Sequence, residues 1–149
     1  MRMHALFVTL LLATPALADN VKVENAWIRE PAPGQAVVGG FLEITSDKDA
    51  SLIQAASPAV GKVELHEMKM QGDIMQMREV KTISLPKAKT VKLEPGGLHL
   101  MLYQPRNPLK AGDKIPLTLT VKSGNKVKKI EATAEVRSMH TPAHAPMHN

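Results

Sequence analysis

The sequence contains no cysteine, and its aromatic residues are one Trp, one Tyr and two Phe among 149 residues. The first absence excludes disulfide staples, thiolate metal sites and a cysteine nucleophile together. Packing alone must then stabilise the fold of an exported domain. The second absence leaves no stacking platform for single-stranded nucleic acid. The net charge of +5 is scattered along the chain, apart from a run at Lys126, Lys128 and Lys129. Nucleic acid is therefore not an expected partner, and a mildly basic surface fits an acidic one better. Long apolar runs are missing as well. LFVTLLLA at residues 6–13 falls well short of the ~20 residues that a membrane-spanning helix needs. Also absent are a glycine-rich phosphate loop, a Ser-His-Asp order and paired carboxylates in a perturbing setting, so no enzyme class is indicated.

That short apolar run follows Arg2 and precedes Pro15 and the small-residue triplet Ala16, Leu17, Ala18. Together they form the three-part pattern of a secretory signal, with cleavage expected before Asp19. A lipid anchor would need a cysteine at that point, and the sequence has none. The expected organisation is a cleaved signal at residues 1–18, one domain at residues 19–138 with enough length for a real core, and a tail at residues 139–149. The expected location is the periplasm, as a monomer without stable membrane insertion.

The domain reads as short strands separated by turns. Alternating or apolar segments occur at residues 21–28, 37–46, 51–57, 62–70, 74–80, 90–95, 98–104, 114–123 and 126–137. EPAPGQ breaks the chain after the first segment. Gly39 and Gly40 suggest a bulge or a close backbone approach in the second. Gly124 and Asn125 form a two-residue hairpin signal before the last. No segment keeps helical periodicity over three turns. Many short strands at regular spacing predict an all-β protein, an antiparallel β-sandwich, with Trp27 in or near its core.

Against this background the nine methionines stand out by position. LHEMKMQGDIMQM, residues 65–77, holds four of them beside a histidine, and Met101 follows His99 in GGLHLML. Gly72 and Asp73 make a plausible two-residue turn with glycine first. That turn pairs Gln71 with Ile74, Met70 with Met75, Met68 with Met77, and His66 with Glu79. Side chains two apart on a strand share a face, so His66, Met68, Met70, Met75, Met77 and Glu79 project to one side. Met77 is then diagonal to His66, at roughly 7–8 Å between backbones. Leu65, Glu67, Lys69, Gln76 and Arg78 occupy the other face. A three-residue loop would slip the register and separate His66 from Met77. In the second segment Leu98, Leu100 and Leu102 look like core, which leaves His99 and Met101 together on an exposed or semi-exposed face.

Two chemistries compete for this pattern. Met fills irregular core gaps, so packing is one reading. The other is a soft-metal site, because thioethers select Cu(I) and imidazole suits copper. A neutral thioether-imidazole set binds more weakly than thiolates and releases Cu(I) to them. A histidine beside each Met-bearing segment favours copper, but residue chemistry leaves both readings open. Met68, Met70 and Met75 are expected to serve as packing or an apolar rim, with spare ligands or a soft partner surface as the alternatives.

The spacing His66-x10-Met77-x21-His99-x-Met101, the LHEM and EPGGLHLML stretches, and AWIREPAPGQAVVGGFLEI near the start of the domain resemble the periplasmic PCu(A)C-type copper chaperones. The resemblance spans essentially all of residues 19–149, with no departure at the four positions. It implies a cupredoxin-like β-sandwich of Greek-key type. It also implies one Cu(I) at an exposed site formed by His66, Met77, His99 and Met101. The implied role is supply of copper to the Cu(A) centre of cytochrome c oxidase, with the Cu(A) subunit and Sco-type thiol copper proteins as partners.

The segment MHTPAHAPMHN at the C-terminus adds Met139, His140, His144, Met147 and His148. Its prolines argue against a regular element, and its composition is that of a metal-binding tract. Imidazoles favour Cu(II), so a second, flexible copper site is expected there. Rival functions are a periplasmic copper buffer or resistance protein with no dedicated acceptor, which would use the same ligands, and a plain interaction module. A blue-copper electron carrier needs a cysteine ligand and is excluded.

Overall fold

The computed structural model describes residues 20–139. The expected signal, and the tail beyond Met139, lie outside the described residues. Within them the chain forms ten strands and no helix: β1 (Val21–Arg29), β2 (Val37–Ser46), β3 (Ala50–Ala56), β4 (Val60–Gln71), β5 (Ile74–Glu79), β6 (Ile83–Leu85), β7 (Thr90–Leu93), β8 (His99–Pro105), β9 (Lys114–Ser123) and β10 (Lys126–Arg137). Period-two burial explains the strands. Ile115, Leu117, Leu119 and Val121 are all buried along β9, while Lys114 and Pro116 are exposed.

Hydrogen bonding follows one path, β5-β4-β8-β2-β1-β10-β9-β3-β6, with β7 also paired to β2. Leu52 of β3 and Leu85 of β6, from one end of that path, share a single core cluster with Leu65 of β4 and Leu100 of β8 from the other. The path therefore folds over itself around a single core. Burying each such leucine contributes about 1.5–3 kcal/mol, and this packing stands in for the missing disulfides. All pairings among the described strands are antiparallel except β1 with β10, which run parallel with Trp27 opposite Glu135.

β6 is the strand that the pattern did not reveal. Three residues with Pro86 directly behind cannot show an alternation, although Ile83 and Leu85 are both buried. The glycine pair in β2 serves a close approach. A Cβ on Gly40 would sit 2.8 Å from Leu102 Cδ1, and one on Gly39 would sit 3.0 Å from Phe41 Cζ. Register shifts lie elsewhere, in β1 between Glu24 and Trp27, where Asn25 takes φ +50°, and in β3 between Leu52 and Gln54. Trp27 is half-buried and packs on Phe41 with ring centroids 4.5 Å apart. Among the described residues no helix is long and apolar enough to cross a membrane.

Two features position the functional face. β7 and β8 both pair antiparallel with β2, β7 opposite residues 42–45 and β8 opposite residues 37–40. They are collinear, and the chain between them bulges out as a turn closed by Glu94 N–H donating to the Leu98 carbonyl. Gly96, at φ +86°, takes the conformation that only glycine adopts without strain. Secondly, β4 pairs with β8 only as far as His66 opposite His99, while its pairing with β5 continues to Gln71. The outer half of the β4–β5 hairpin therefore projects past the sheet.

Candidate metal centre

The hairpin register is the one that a two-residue turn demands: Gln71 faces Ile74, Met70 faces Met75, Met68 faces Met77 and His66 faces Glu79. Gly72 makes this possible by adopting φ +64°. His66 is at the same time the direct cross-strand partner of His99, so three strands bring the two imidazoles and Met77 to one face. Met101, two residues beyond His99, lies opposite Gly39 of β2 and Glu64 of β4. Gly39 has no side chain there, and the Phe41 ring comes within 3.0 Å of where its Cβ would stand. Met68, Met77, His99, Met101 and Gly39 all line one cavity of about 260 Å³.

The two imidazole rings lie 5.6 Å apart, tilted at 42°, and hydrogen bonding sorts their nitrogens. His99 Nδ1 lies 2.8 Å from the Gly97 carbonyl. A carbonyl only accepts, so Nδ1 carries the proton and the neutral ring presents a lone pair at Nε2. That Nε2 lies 3.0 Å from Met77 Sδ. A thioether sulfur also has no proton, so in the neutral ring two lone-pair donors face each other, as two ligands of one cation do. In His66 the order is reversed. Its Nε2 donates to Glu64 Oε2 at 2.9 Å, leaving Nδ1 as the lone-pair nitrogen. Nδ1 is buried and has no hydrogen-bond partner. Such an orphan is costly inside a protein and is what a metal ligand looks like when its ion is left out of account. Two imidazole nitrogens and two thioethers make a soft set without net charge, which matches Cu(I) better than a hard cation. Among the described residues no group of three or more His, Cys, Asp or Glu forms a hard-metal cluster.

Glu64 was not singled out from the sequence. Its signal is modest, a carboxylate two residues before a histidine on the same strand face. The Lys62 ammonium, which pairs with it, acts with the His66 ring and the Tyr103 hydroxyl to hold the Glu64 carboxyl far below the usual carboxylate range, at about 2. It is therefore an anion at any ordinary pH. It fixes the His66 tautomer and places a negative charge behind the ring, as carboxylates do behind metal-bound histidines.

Burial differs from expectation. His66 and His99 are both only 6% exposed, although the strand pattern suggested an accessible His99. Gln35 from the loop after β1, and Pro95 and Gly96 from the turn before β8, line the same cavity as His99, whereas His66 is not among its lining residues. Met101 is half-buried, and Met77 is the accessible member at 49%. Met70 and Met75 are exposed and Met68 half-buried. Of the packing or apolar rim expected of them, Met68 lines the cavity, while Met70 and Met75 stand on the part of the hairpin that projects past the sheet. The other face of the hairpin carries the expected polar residues, with Arg78 and Glu67 paired at 2.6 Å. Met139 is exposed, near the loops at residues 30–36 and 104–110. His140, His144, Met147 and His148 lie outside the described residues.

Residues 21–136 match the model of the LpqE-like family, described as lipoproteins. The chain belongs to the LpqE-like family. This LpqE-like chain is 34% identical over 109 residues to Lxx21020 of Leifsonia xyli subsp. xyli, a protein named as a lipoprotein. The match covers 72% of the chain and 66% of that relative, so the chain spans just under two thirds of its length. The lipid in these names is said of those proteins. The fold matches solved PCuAC domains. The apo PCuAC domain from PmoF1 superposes with a TM-score of 0.65 at 22% identity, covering 79% of this chain and 93% of that domain. The solution structure of CuI-DR1885 from Deinococcus radiodurans gives 0.60 at 22% identity, covering 85% and 81%. The LpqE-like chain thus has the PCuAC-type β fold that its motifs implied.

Proposed function

We propose that this protein is an extracytoplasmic copper chaperone. It holds one Cu(I) between His66 Nδ1, His99 Nε2 and the sulfurs of Met77 and Met101, and passes the ion to an acceptor. The observation that carries this reading is the meeting of His99 Nε2 and Met77 Sδ at 3.0 Å with no proton to share. The orphaned His66 Nδ1 supports it independently. The Cu(I) form of DR1885, one of the solved structures that share the fold, agrees with it.

The chemistry follows from the donor set. Neutral thioethers and imidazoles bind Cu(I) without compensating its charge, so an acceptor offering thiolates is the stronger site. Met77 is the exposed ligand and leaves first when an incoming sulfur replaces it, while the buried histidines hold the ion until the second bond forms. Four protein ligands leave no open position for a substrate water, so the role is transfer and not catalysis. The acceptors this implies are a Sco-type thiol protein and the Cu(A) subunit of cytochrome c oxidase, met in the periplasm after cleavage of the signal. The tail residues Met139, His140, His144, Met147 and His148 form an accessory site that takes Cu(II).

An anaerobic transfer assay separates this reading from a copper buffer without a dedicated acceptor. Full-length Cu(I)-loaded protein is mixed with an apo Sco-type protein or an apo Cu(A) domain. Transfer that outruns spontaneous release to a small-molecule chelator supports the chaperone. Transfer no faster than release supports the buffer.

A further inference from the structure

The methionines of the hairpin are unexplained by the centre just described. Met70 is 57% exposed and Met75 is 46% exposed, with Ile74 between strand and turn at 64%. Every residue of β5 is exposed. These side chains are not core residues that strayed outward. They stand on a ribbon that leaves the sheet after His66, where no second layer exists to pack against. Long apolar side chains in that position lose their hydrophobic benefit, and alternation would allow polar residues there as readily as it does on the opposite face, with Lys69 opposite Gln76 and Glu67 opposite Arg78.

What distinguishes the face is its chemistry and its alignment. Met70 opposite Met75 forms one cross-strand pair, and Met68 opposite Met77 the next. Directly opposed side chains have Cβ atoms about 4.5–5.5 Å apart, so flexible thioethers can converge on one ion. Successive pairs on one face are about 7 Å apart along the strands. Met68 and Met77 already line the cavity of the histidine centre. The thioethers therefore form a two-rung ladder from the hairpin tip to that cavity, with Met77 at its inner end.

We propose that Met68, Met70 and Met75 form a second Cu(I) site on the outer face of the β4–β5 hairpin, from which the ion passes to the histidine-methionine centre through Met77. The proposal rests on the copper reading of that centre and adds an entry point to it. Three thioethers give a weaker site than two imidazoles with two thioethers, so the second equivalent binds after the first and exchanges faster. Thioethers do not titrate, so this site keeps its affinity in acid, where imidazoles take up protons. No redox step is involved. The ion stays Cu(I), and each Cu–S bond formed on the inner rung replaces one broken on the outer.

The test is a stepwise anaerobic Cu(I) titration of the full chain carrying ¹³C in its methionine ε-methyl groups, followed by NMR. The first equivalent should move the methyl signals of Met77 and Met101. The second should move those of Met68, Met70 and Met75, and leave Met139 and Met147 in place. In the variant Met70→Leu/Met75→Leu the first equivalent should bind as before and the second should be lost. Both changes are near-isosteric at exposed positions, and an unaltered Met101 methyl signal in the apo spectrum together with an unchanged thermal unfolding transition establishes that the variant is folded. A second equivalent that moves only Met139 and Met147, or that survives the double substitution, overturns the hairpin site and leaves the centre intact. A first equivalent that fails to move Met77 and Met101 overturns the reading on which the proposal rests.

Discussion

His99 Nε2 and Met77 Sδ lie 3.0 Å apart, and the hydrogen bond from His99 Nδ1 to the Gly97 carbonyl leaves no proton between them. Two strands that are not neighbours, β5 and β8, supply this pair, with β4 between them. It exists only because the Gly72 turn sets one register and not the next. Met77→Leu, which keeps volume and removes the sulfur, should lower the affinity for the first Cu(I) by at least ~100-fold, at or beyond the upper end of what loss of an outer-shell partner costs a metal site. Met75→Leu should leave that first equivalent unchanged. Competition against a chromophoric Cu(I) chelator measures both, and equal losses would contradict the assignment of Met77.

Glu64 acts on the centre through His66. Glu64→Ala removes the acceptor that keeps the proton on Nε2 and frees the ring to populate the other tautomer. Cu(I) affinity should fall about 10–100-fold, the usual cost of losing such a partner. Long-range ¹H–¹⁵N spectra of the apo protein should show His66 Nδ1 changing from unprotonated to mixed. An affinity loss without a tautomer change would mean that Glu64 contributes only charge.

The same carboxylate gives a pH signature in the apo protein. Its pKa falls from the ordinary 4.5 to about 2 on folding, chiefly through its bond with Lys62. A depressed carboxylate contributes stability that is present above the unfolded value and lost as pH falls through the folded one. The melting temperature of the wild type should therefore exceed that of Glu64→Gln most at neutral pH. The gap should close between about pH 4.5 and pH 2. Calorimetry of the two proteins across that range reads it, and a gap independent of pH would contradict the ionic origin.

Gly40 tests the packing beneath the site. An added methyl would stand 2.8 Å from Leu102 Cδ1, and Leu102 is fully buried with no room to withdraw. Gly40→Ala should destabilise the fold by about 1–3 kcal/mol, the range for overpacking, as seen by denaturant unfolding. A neutral effect would show that β8 can shift away from β2.

The strand pattern and the turn chemistry made most of this architecture legible. Alternation or short apolar runs between turn residues revealed nine of the ten strands, including β5, which buries no residue, and the Gly72 turn fixed the hairpin register down to the pairing of His66 with Glu79. β6 escaped because three residues carry no periodicity. The burial of His99 escaped for a different reason. Alternation says that His99 points away from Leu100, but not that loops carrying Gln35, Pro95 and Gly96 fold over that outer face. Glu64 and the Gly97 carbonyl escaped because choosing between the two nitrogens of a histidine depends on contacts that spacing does not encode. The collinear placement of β7 and β8 on β2, which sets His99 at the mouth of the turn, is likewise a tertiary result.

In the copper chaperone proposed above, one Cu(I) binds through Nδ1 of His66 and Nε2 of His99, both buried. Long-range ¹H–¹⁵N spectra of the histidine rings, recorded on the full chain before and after one equivalent of Cu(I) without oxygen, test it most directly. The predicted result is a shift at His66 Nδ1 and His99 Nε2, with Nε2 of His66 and Nδ1 of His99 still protonated and His140, His144 and His148 unmoved. Shifts confined to His140, His144 and His148 would contradict it and make the tail the first copper ligand.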